Sequence, residues 1–123
     1  MTQEDKELLL KDICARLPYG IKASYYGVEE ECETWDEIES VTFDGYVDIG
    51  QYSLPIESIK PYLFPLSSMT EEEKLMYEGL MIGTNNNISY TLDVIDWLNA
   101  HHFDYRGIIE KGLAIDATNL NIY

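Results

Sequence analysis

Five side chains able to take part in chemistry lie close together near the end of the chain. Two are histidines, which can carry protons or bind a metal, and the others are an acid, a phenol and a guanidinium. The set is His101, His102, Asp104, Tyr105 and Arg106. Because both histidines of the chain belong to it, this polar cluster is the first candidate site.

The spacing of the two histidines argues against a shared metal ion. Adjacent helical side chains point about 100° apart, and the H-x-x-x-H spacing that aligns two ligands is absent. His102 and Asp104 with a distant carboxylate could still bind zinc. This gives one hypothesis, a small metal-dependent enzyme centred on His101, His102 and Asp104. The opposing interpretation, which we favour, is that both histidines end a helix and interact with its dipole, with no metal and no cofactor.

Arg106 has two possible roles. Its guanidinium could bind a carboxylate or phosphate ligand, but the many acids of this chain favour an internal pair with Asp96 or Asp104. Tyr105 is expected to pack, with its hydroxyl finding a polar partner. The chain contains no G-x-S-x-G elbow, P-loop or G-x-G-x-x-G motif, so the sequence favours a non-catalytic protein.

A second candidate site is acidic. Residues 23–59 contain ten acids and no Lys or Arg, in a chain whose formal net charge is −15. A solvated sheet face, with charges that prevent edge-to-edge pairing, explains such a segment in structural terms. The functional explanation is a binding face for an unidentified partner protein, with a basic surface as its natural complement. The residues proposed to contact this partner are Glu29, Glu30, Glu31, Glu33, Trp35, Asp36 and Glu37.

The charge also bears on other classes of partner. Direct nucleic-acid binding is not expected, because the eight Lys and Arg residues form no basic patch. The acids could instead imitate a nucleic-acid backbone and inhibit a DNA-binding enzyme. The chain has no apolar run of about 18 residues, and its start is polar and acidic rather than signal-like. We therefore expect a cytoplasmic protein with no membrane role.

The pattern of apolar residues predicts an α+β fold in one domain, 1–123. Thr2 and Asp5 form a capping box before a helix at 3–16, with Cys14 on its apolar side. Residues 20–54 predict three to five antiparallel strands, which could curl toward a barrel. Within them, Asp44-Gly45 predicts a hairpin with a type I′ turn.

After the strands, the sequence predicts a connecting segment and then a helical part. Three prolines in residues 55–69 predict a connector that is neither a central strand nor a long helix. Thr70 and Glu73 form a second capping box at the start of a helical part, 70–113. Gly83 should end its first helix, with a turn or a mobile loop at 85–87. The last helical segment should run from Tyr105 to Gly112, and the tail has no clear period.

Three segments carry a resemblance to a known group. Residues 8–20, 59–70 and 96–114 resemble uncharacterised proteins of gut Bacteroides and of their phages or mobile elements. The resemblance implies a bacterial or phage protein, and it implies no activity and no role for any residue. Together with the charge pattern, it favours a non-catalytic accessory protein that binds another protein. The oligomeric state stays open.

Overall fold

The structure is a computed structural model that describes residues 1–82 and 88–123. The turn expected at 85–87, and Gly83 as a helix end, lie outside the described residues. Three helices and seven strands are described, in the following order. They are α1 Gln3–Arg16, β1 Lys22–Gly27, β2 Cys32–Val41, β3 Tyr46–Ile49, β4 Tyr52–Pro55, β5 Lys60–Pro65, α2 Glu71–Ile82, α3 Ile88–Ala100, β6 Phe103–Asp104 and β7 Ile115–Asp116.

Both predicted capping boxes are formed. Thr2 Oγ1 accepts a hydrogen bond from the Asp5 amide at 3.0 Å, and the Asp5 carboxylate accepts one from the Thr2 amide. Thr70 and Glu73 make the same reciprocal pair. Each box satisfies amide donors that a helix start leaves unpaired. The predicted start and end of the first helix are confirmed.

The strands form one open sheet in the order β4-β3-β2-β1-β5-β6, with β7 paired to β5. The α+β class is confirmed, and the sheet does not close into a barrel. The predicted hairpin joins β2 to β3, but its turn is not type I′. A type I′ turn needs a positive φ at both central residues. Within the turn only Gly45 has one, of 85°, and its amide donates to the Thr42 carbonyl oxygen.

The prediction that residues 55–69 contain no central strand is wrong. β5 lies inside the sheet, antiparallel to β1 and parallel to both β6 and β7. Its prolines, Pro61 and Pro65, lie on either side of residues 62–64, which retain backbone N–H groups for pairing. Phe64 donates from that stretch to the His102 carbonyl oxygen at 2.8 Å. Pairing with β1 covers only the first two residues of β5, so one missing donor is tolerated.

The helical prediction for 70–113 is right for α2 and α3 and wrong beyond them. His102 adopts a left-handed conformation, with φ of 62°, which ends the helical path after Ala100. The segment predicted as a last helix, 105–112, forms turns between β6 and β7. Gly107 and Gly112, both at positive φ, interrupt the segment at two points where an α-helix requires negative φ.

The main core lies between α1 and one face of the sheet. Leu9 and Ile13 of α1 are fully buried against Ile21, Val47, Ile49, Leu63 and Ile108. A smaller core joins α3 to the sheet end through Val94, Leu98 and Phe103, with Tyr77 and Leu80 of α2 at its margin. The loop that holds the polar cluster therefore lies between the two cores.

Candidate functional site

The buried centre of the molecule contains an ion pair that the sequence interpretation did not include. Asp12 and Arg16 lie one turn apart on α1, and both side chains are fully buried. The guanidinium meets the carboxylate as a fork, with Nε to Oδ2 at 2.8 Å and Nη2 to Oδ1 at 3.1 Å. Nη2 also donates to the Phe103 carbonyl oxygen at 2.7 Å. This contact ties α1 to the segment between α3 and the last turns.

Arg106 joins this pair rather than the partners predicted for it. Its Nη1 donates to Asp12 Oδ1 at 3.3 Å, so the expected pairs with Asp96 or Asp104 are wrong. The two partners lie 94 residues apart in the chain, and only the fold brings them together.

Tyr105 packs against both guanidinium groups. Its ring packs 5.2 Å from Arg16 and 4.8 Å from Arg106, a geometry in which the aromatic face attracts cations. Its hydroxyl accepts from Arg106 Nη1 and donates to Asn99 Oδ1 at 2.8 Å. The predicted packing of Tyr105, with a partner for its hydroxyl, is confirmed.

His102 is buried against the end of the chain. Its ring stacks on Tyr123 with 3.6 Å between ring centroids and 12° between planes. Burial, reinforced by the positive charge of Arg16, lowers the pKa of His102 to about 4. The imidazole is therefore neutral at pH 7. Burial also raises the pKa of the Tyr123 phenol well above its ordinary value.

His101 points elsewhere. Its ring is exposed and stacks on Trp97 with 4.4 Å between ring centroids, and its Nδ1 lies 2.9 Å from the Trp97 carbonyl oxygen. The two histidines therefore share no ligand position. No group of three or more His, Cys, Asp or Glu in residues 1–82 and 88–123 is placed to hold a metal ion.

Asp104 organises the loop that follows it. Its carboxylate accepts hydrogen bonds from the amides of Ile108 at 3.1 Å and Ile109 at 2.9 Å. These two amides are removed from water by folding, and the charged carboxylate supplies the hydrogen-bond acceptor that they would otherwise lack. The side chain is thus committed to the turn.

We expect Asp104→Asn to cost about 1 kcal/mol, because the amide keeps one acceptor and loses the charge. Urea denaturation measures this free energy of unfolding. Asp116→Asn is the matched control, since that exposed carboxylate caps only the Thr118 amide. Equal costs for the two variants would contradict the assignment.

The polar cluster is therefore a cross-link within the molecule. None of its members lines the described cavity of about 340 Å³, which lies between α1 and the β2–β3 turn. The clustering of polar residues in the sequence located this group, but the orientations of its side chains depend on Asp12 and Arg16. One signal in the sequence could have revealed the pair. Asp12 and Arg16 are an acid and a base one helical turn apart, on the face that carries the apolar Leu9 and Ile13.

The acidic segment is divided between the two faces of the β1–β2 hairpin. Directly paired residues share a face, so the pairs Trp35–Ser24 and Glu33–Tyr26 place these four side chains together. Glu37 lies on the same face opposite Lys22. Asp36 pairs with Ala23 and lies on the other face, where it raises the pKa of the buried Tyr25 phenol, after the larger effect of burial.

Three further acids, Glu29, Glu30 and Glu31, lie in the turn between β1 and β2. The Gln51 amide donates to Glu29 at 2.8 Å, and the Tyr52 hydroxyl donates to Glu30 at 2.9 Å. The Glu29 amide donates in turn to the Tyr52 hydroxyl. Glu31 is exposed at positive φ. The acids of this turn, Glu29 and Glu30, thus bind side chains of the β3–β4 turn. Within the part of the chain that the structure describes, the acids on β2 do not share these contacts.

Two aromatic side chains are exposed on the hairpin face that carries Glu33 and Glu37. Tyr26 is 51% exposed and Trp35 is 45% exposed. We call this set, Tyr26, Glu33, Trp35 and Glu37, the acidic–aromatic face. β3 pairs with β2 only from Ile38 onward, so among the described strands β1 is the one paired neighbour of this half of β2.

The end of the chain covers one border of the acidic–aromatic face, which the sequence did not predict. Lys22 donates from Nζ to the Ile122 carbonyl oxygen at 2.7 Å. The same Nζ lies 5.1 Å from the centroid of the Trp35 ring and 5.5 Å from that of Tyr123. Lys22 is thereby used internally and limits the negative potential at this border.

Both cysteines are free and exposed. The prediction that Cys14 lies on the apolar side of α1 is wrong, because the paired Asp12 and Arg16 occupy the buried face with Leu9 and Ile13. Within the described parts of the chain, no helix is long and apolar enough to cross a membrane.

Comparison with protein-family models, with curated proteins and with solved structures finds no match to this chain. Its function is therefore inferred from the fold and from the placement of its side chains.

Proposed function

We propose that this protein is a non-catalytic accessory protein that binds a basic partner protein through the acidic–aromatic face. The observation that supports it is the exposure of Trp35 and Tyr26 on the same face of the β1–β2 hairpin. Trp and Tyr are the side chains most enriched at the centres of protein interfaces. A partner that covers both rings removes a large apolar area from water.

Charge supports a basic partner. Glu33 and Glu37 flank Trp35 on the same face, and the turn acids lie at its tip. A second copy of the chain would bring like charges together, which opposes self-association through this face. The same charge opposes contact with nucleic acid or anionic lipid.

The two other functions considered from the sequence have less support. A nucleic-acid mimic needs carboxylates along one surface, whereas Asp36 lies on the opposite face from Glu33 and Glu37, and Glu29 and Glu30 contact Gln51 and Tyr52. A metal-dependent enzyme needs convergent ligands, whereas the rings of the two histidines pack against different neighbours.

We further propose that the protein acts in the bacterial cytoplasm. Two exposed cysteines that form no disulfide fit a reducing compartment. The resemblance of three segments to proteins of Bacteroides phages and mobile elements supports a partner from the bacterial cell or from the element itself.

The test compares partner binding by the native protein and by Trp35→Ala. Partners are captured from a Bacteroides lysate, identified, purified and titrated. We expect a partner with a basic surface whose affinity falls about 30-fold in Trp35→Ala, equivalent to about 2 kcal/mol for a central aromatic contact. Its affinity should also fall as salt is raised, because added ions screen the charges.

Leu75→Ala is the matched control. Leu75 is 71% exposed on α2, so this variant removes a comparable apolar side chain from a different surface. A partner that binds both variants equally, or that loses affinity only in Leu75→Ala, would refute the proposed face. Turnover of a substrate by the protein without a partner would refute the proposed function.

A further inference from the structure

A cavity of about 340 Å³ opens on the side of the molecule between the start of α1 and the β2–β3 turn. Glu7 and Leu10 line it from the helix, Phe43, Asp44 and Tyr46 line it from the turn and β3, and Ile56 lines it from the segment after β4. Its volume lies within the range of small-ligand pockets. It shares no lining residue with the acidic–aromatic face or with the polar cluster.

The charge of the lining is negative. Among the described residues, Lys6 is the one basic side chain that lines it, and its Nζ lies 3.6 Å from the Glu57 carboxylate. This pair leaves Glu7 and Asp44 without a basic partner in the cavity. In a chain of net charge −15, the surrounding potential also favours cations.

The apolar part of the lining suits a ligand with a hydrocarbon stem. Ile56 is buried and Leu10 is half-buried, so they form an apolar floor. Tyr46 and Phe43 stand at the rim, and Phe43 is fully exposed. An uncovered phenyl ring beside two carboxylates is an arrangement that attracts an organic cation by ring contact and by charge.

Other ligand classes fit less well. An anion would meet Glu7 and Asp44. A metal ion would need a ligand cluster, and the described residues provide no group of three or more His, Cys, Asp or Glu for one. A neutral apolar molecule would leave Glu7 without a described partner, whereas Asp44 already accepts a hydrogen bond from the Thr42 hydroxyl and can accept another.

We propose that this cavity binds a guanidinium or alkylammonium group carried on an apolar stem. The carboxylates of Glu7 and Asp44 contact the cationic head, and Phe43, Tyr46 and Leu10 contact the stem. Such a group occurs on an arginine or lysine side chain of a protein and on free polyamine-like molecules. The inference concerns a different surface from the proposed function and does not depend on it.

The first test is a titration of the intact, isotope-labelled protein with N-acetyl-arginine amide, followed by NMR. We expect saturable shifts at the amides of Gly45 and Tyr46, with affinity about fivefold weaker for the neutral N-acetyl-citrulline amide. An exposed charge pair contributes up to about 1 kcal/mol, which is about fivefold in affinity. Equal affinity for the two amides, or shifts confined to other surfaces, would overturn the proposal.

Matched variants locate the site. Glu7→Gln and Asp44→Asn should each weaken binding about twofold to fivefold, whereas Glu4→Gln, on the same helix but outside the cavity lining, should not. Unchanged affinity in both cavity variants would refute the assignment. Trp35→Ala should bind the amide normally, so loss of partner binding and loss of cation binding are separable outcomes.

A final comparison distinguishes the two sources of the cation. A short peptide with one arginine between apolar residues is titrated beside agmatine, a free guanidinium with an alkyl stem. Tighter binding of the peptide by tenfold or more indicates a protein side chain, and equal or tighter binding of agmatine indicates a small molecule. Binding of neither ligand at millimolar concentration would exclude the proposed chemistry.

Discussion

Asp12→Ala should lower the free energy of unfolding by about 3–5 kcal/mol, the cost of removing one partner from a buried ion pair. The variant leaves the Arg16 guanidinium fully buried with the Phe103 carbonyl oxygen as its remaining described hydrogen-bond acceptor. It also removes the acceptor of Arg106 Nη1. The helix α1 and the turn that carries Arg106 lose their shared carboxylate, so we expect a large effect from one substitution. Urea denaturation at pH 7 measures it, assuming two-state unfolding.

A paired variant separates the charge effect from the loss of volume. Asp12→Leu combined with Arg16→Met replaces the ion pair with apolar side chains and should cost less than Asp12→Ala. Glu7→Ala, which removes an exposed acid from the same helix, should change stability by less than about 0.5 kcal/mol. A cost below 1 kcal/mol for Asp12→Ala, or a double variant less stable than the single one, would contradict this account.

Local features of the fold could be predicted because their determinants lie within a few residues. The capping boxes at Thr2 and Thr70 each need one partner three positions along the chain, and the spacing is visible in the sequence. The β2–β3 hairpin is likewise signalled by Asp44-Gly45 between alternating segments. The type I′ turn predicted for it is wrong, because more than one turn places a glycine at positive φ.

Long-range pairing explains the main errors. Proline at 61 argued against a central strand, yet β5 pairs with β1 through only two residues and with β6 and β7 from much later in the chain. A strand assembled from such distant partners has no local signal. Arg106 was assigned to nearby acids for the same reason, whereas Asp12 lies at the other end of the chain.

Side-chain orientation was the other limit. The sequence located the polar cluster but not the backbone reversal at His102, which sends the rings of His101 and His102 to different neighbours. Alternation along β2 places Trp35 and Asp36 on opposite faces, and this rule applied to the sequence would have divided the acidic segment. The exposure of Trp35 depends on where β3 ends, which the sequence does not show.

His102 should make stability depend on pH between about 6.5 and 4. Its folded pKa is about 4 and its ordinary value is 6.5, so the unfolded chain binds the proton more readily. The neutral ring stabilises the fold fully above pH 6.5, and this contribution is lost as pH falls toward 4. The shift corresponds to about 3 kcal/mol. Screening by nearby solvent should reduce the measured loss to about 2 kcal/mol.

The measurement is the difference in pH dependence between the native protein and His102→Asn. Asparagine tolerates the left-handed conformation of this residue and does not titrate, so its unfolding free energy should fall less steeply from pH 7 to 4. Carboxylates titrate in both proteins and cancel in the comparison. If His102→Asn and the native protein lost stability in parallel, the imidazole would not be held neutral by burial beside Arg16 and Tyr123.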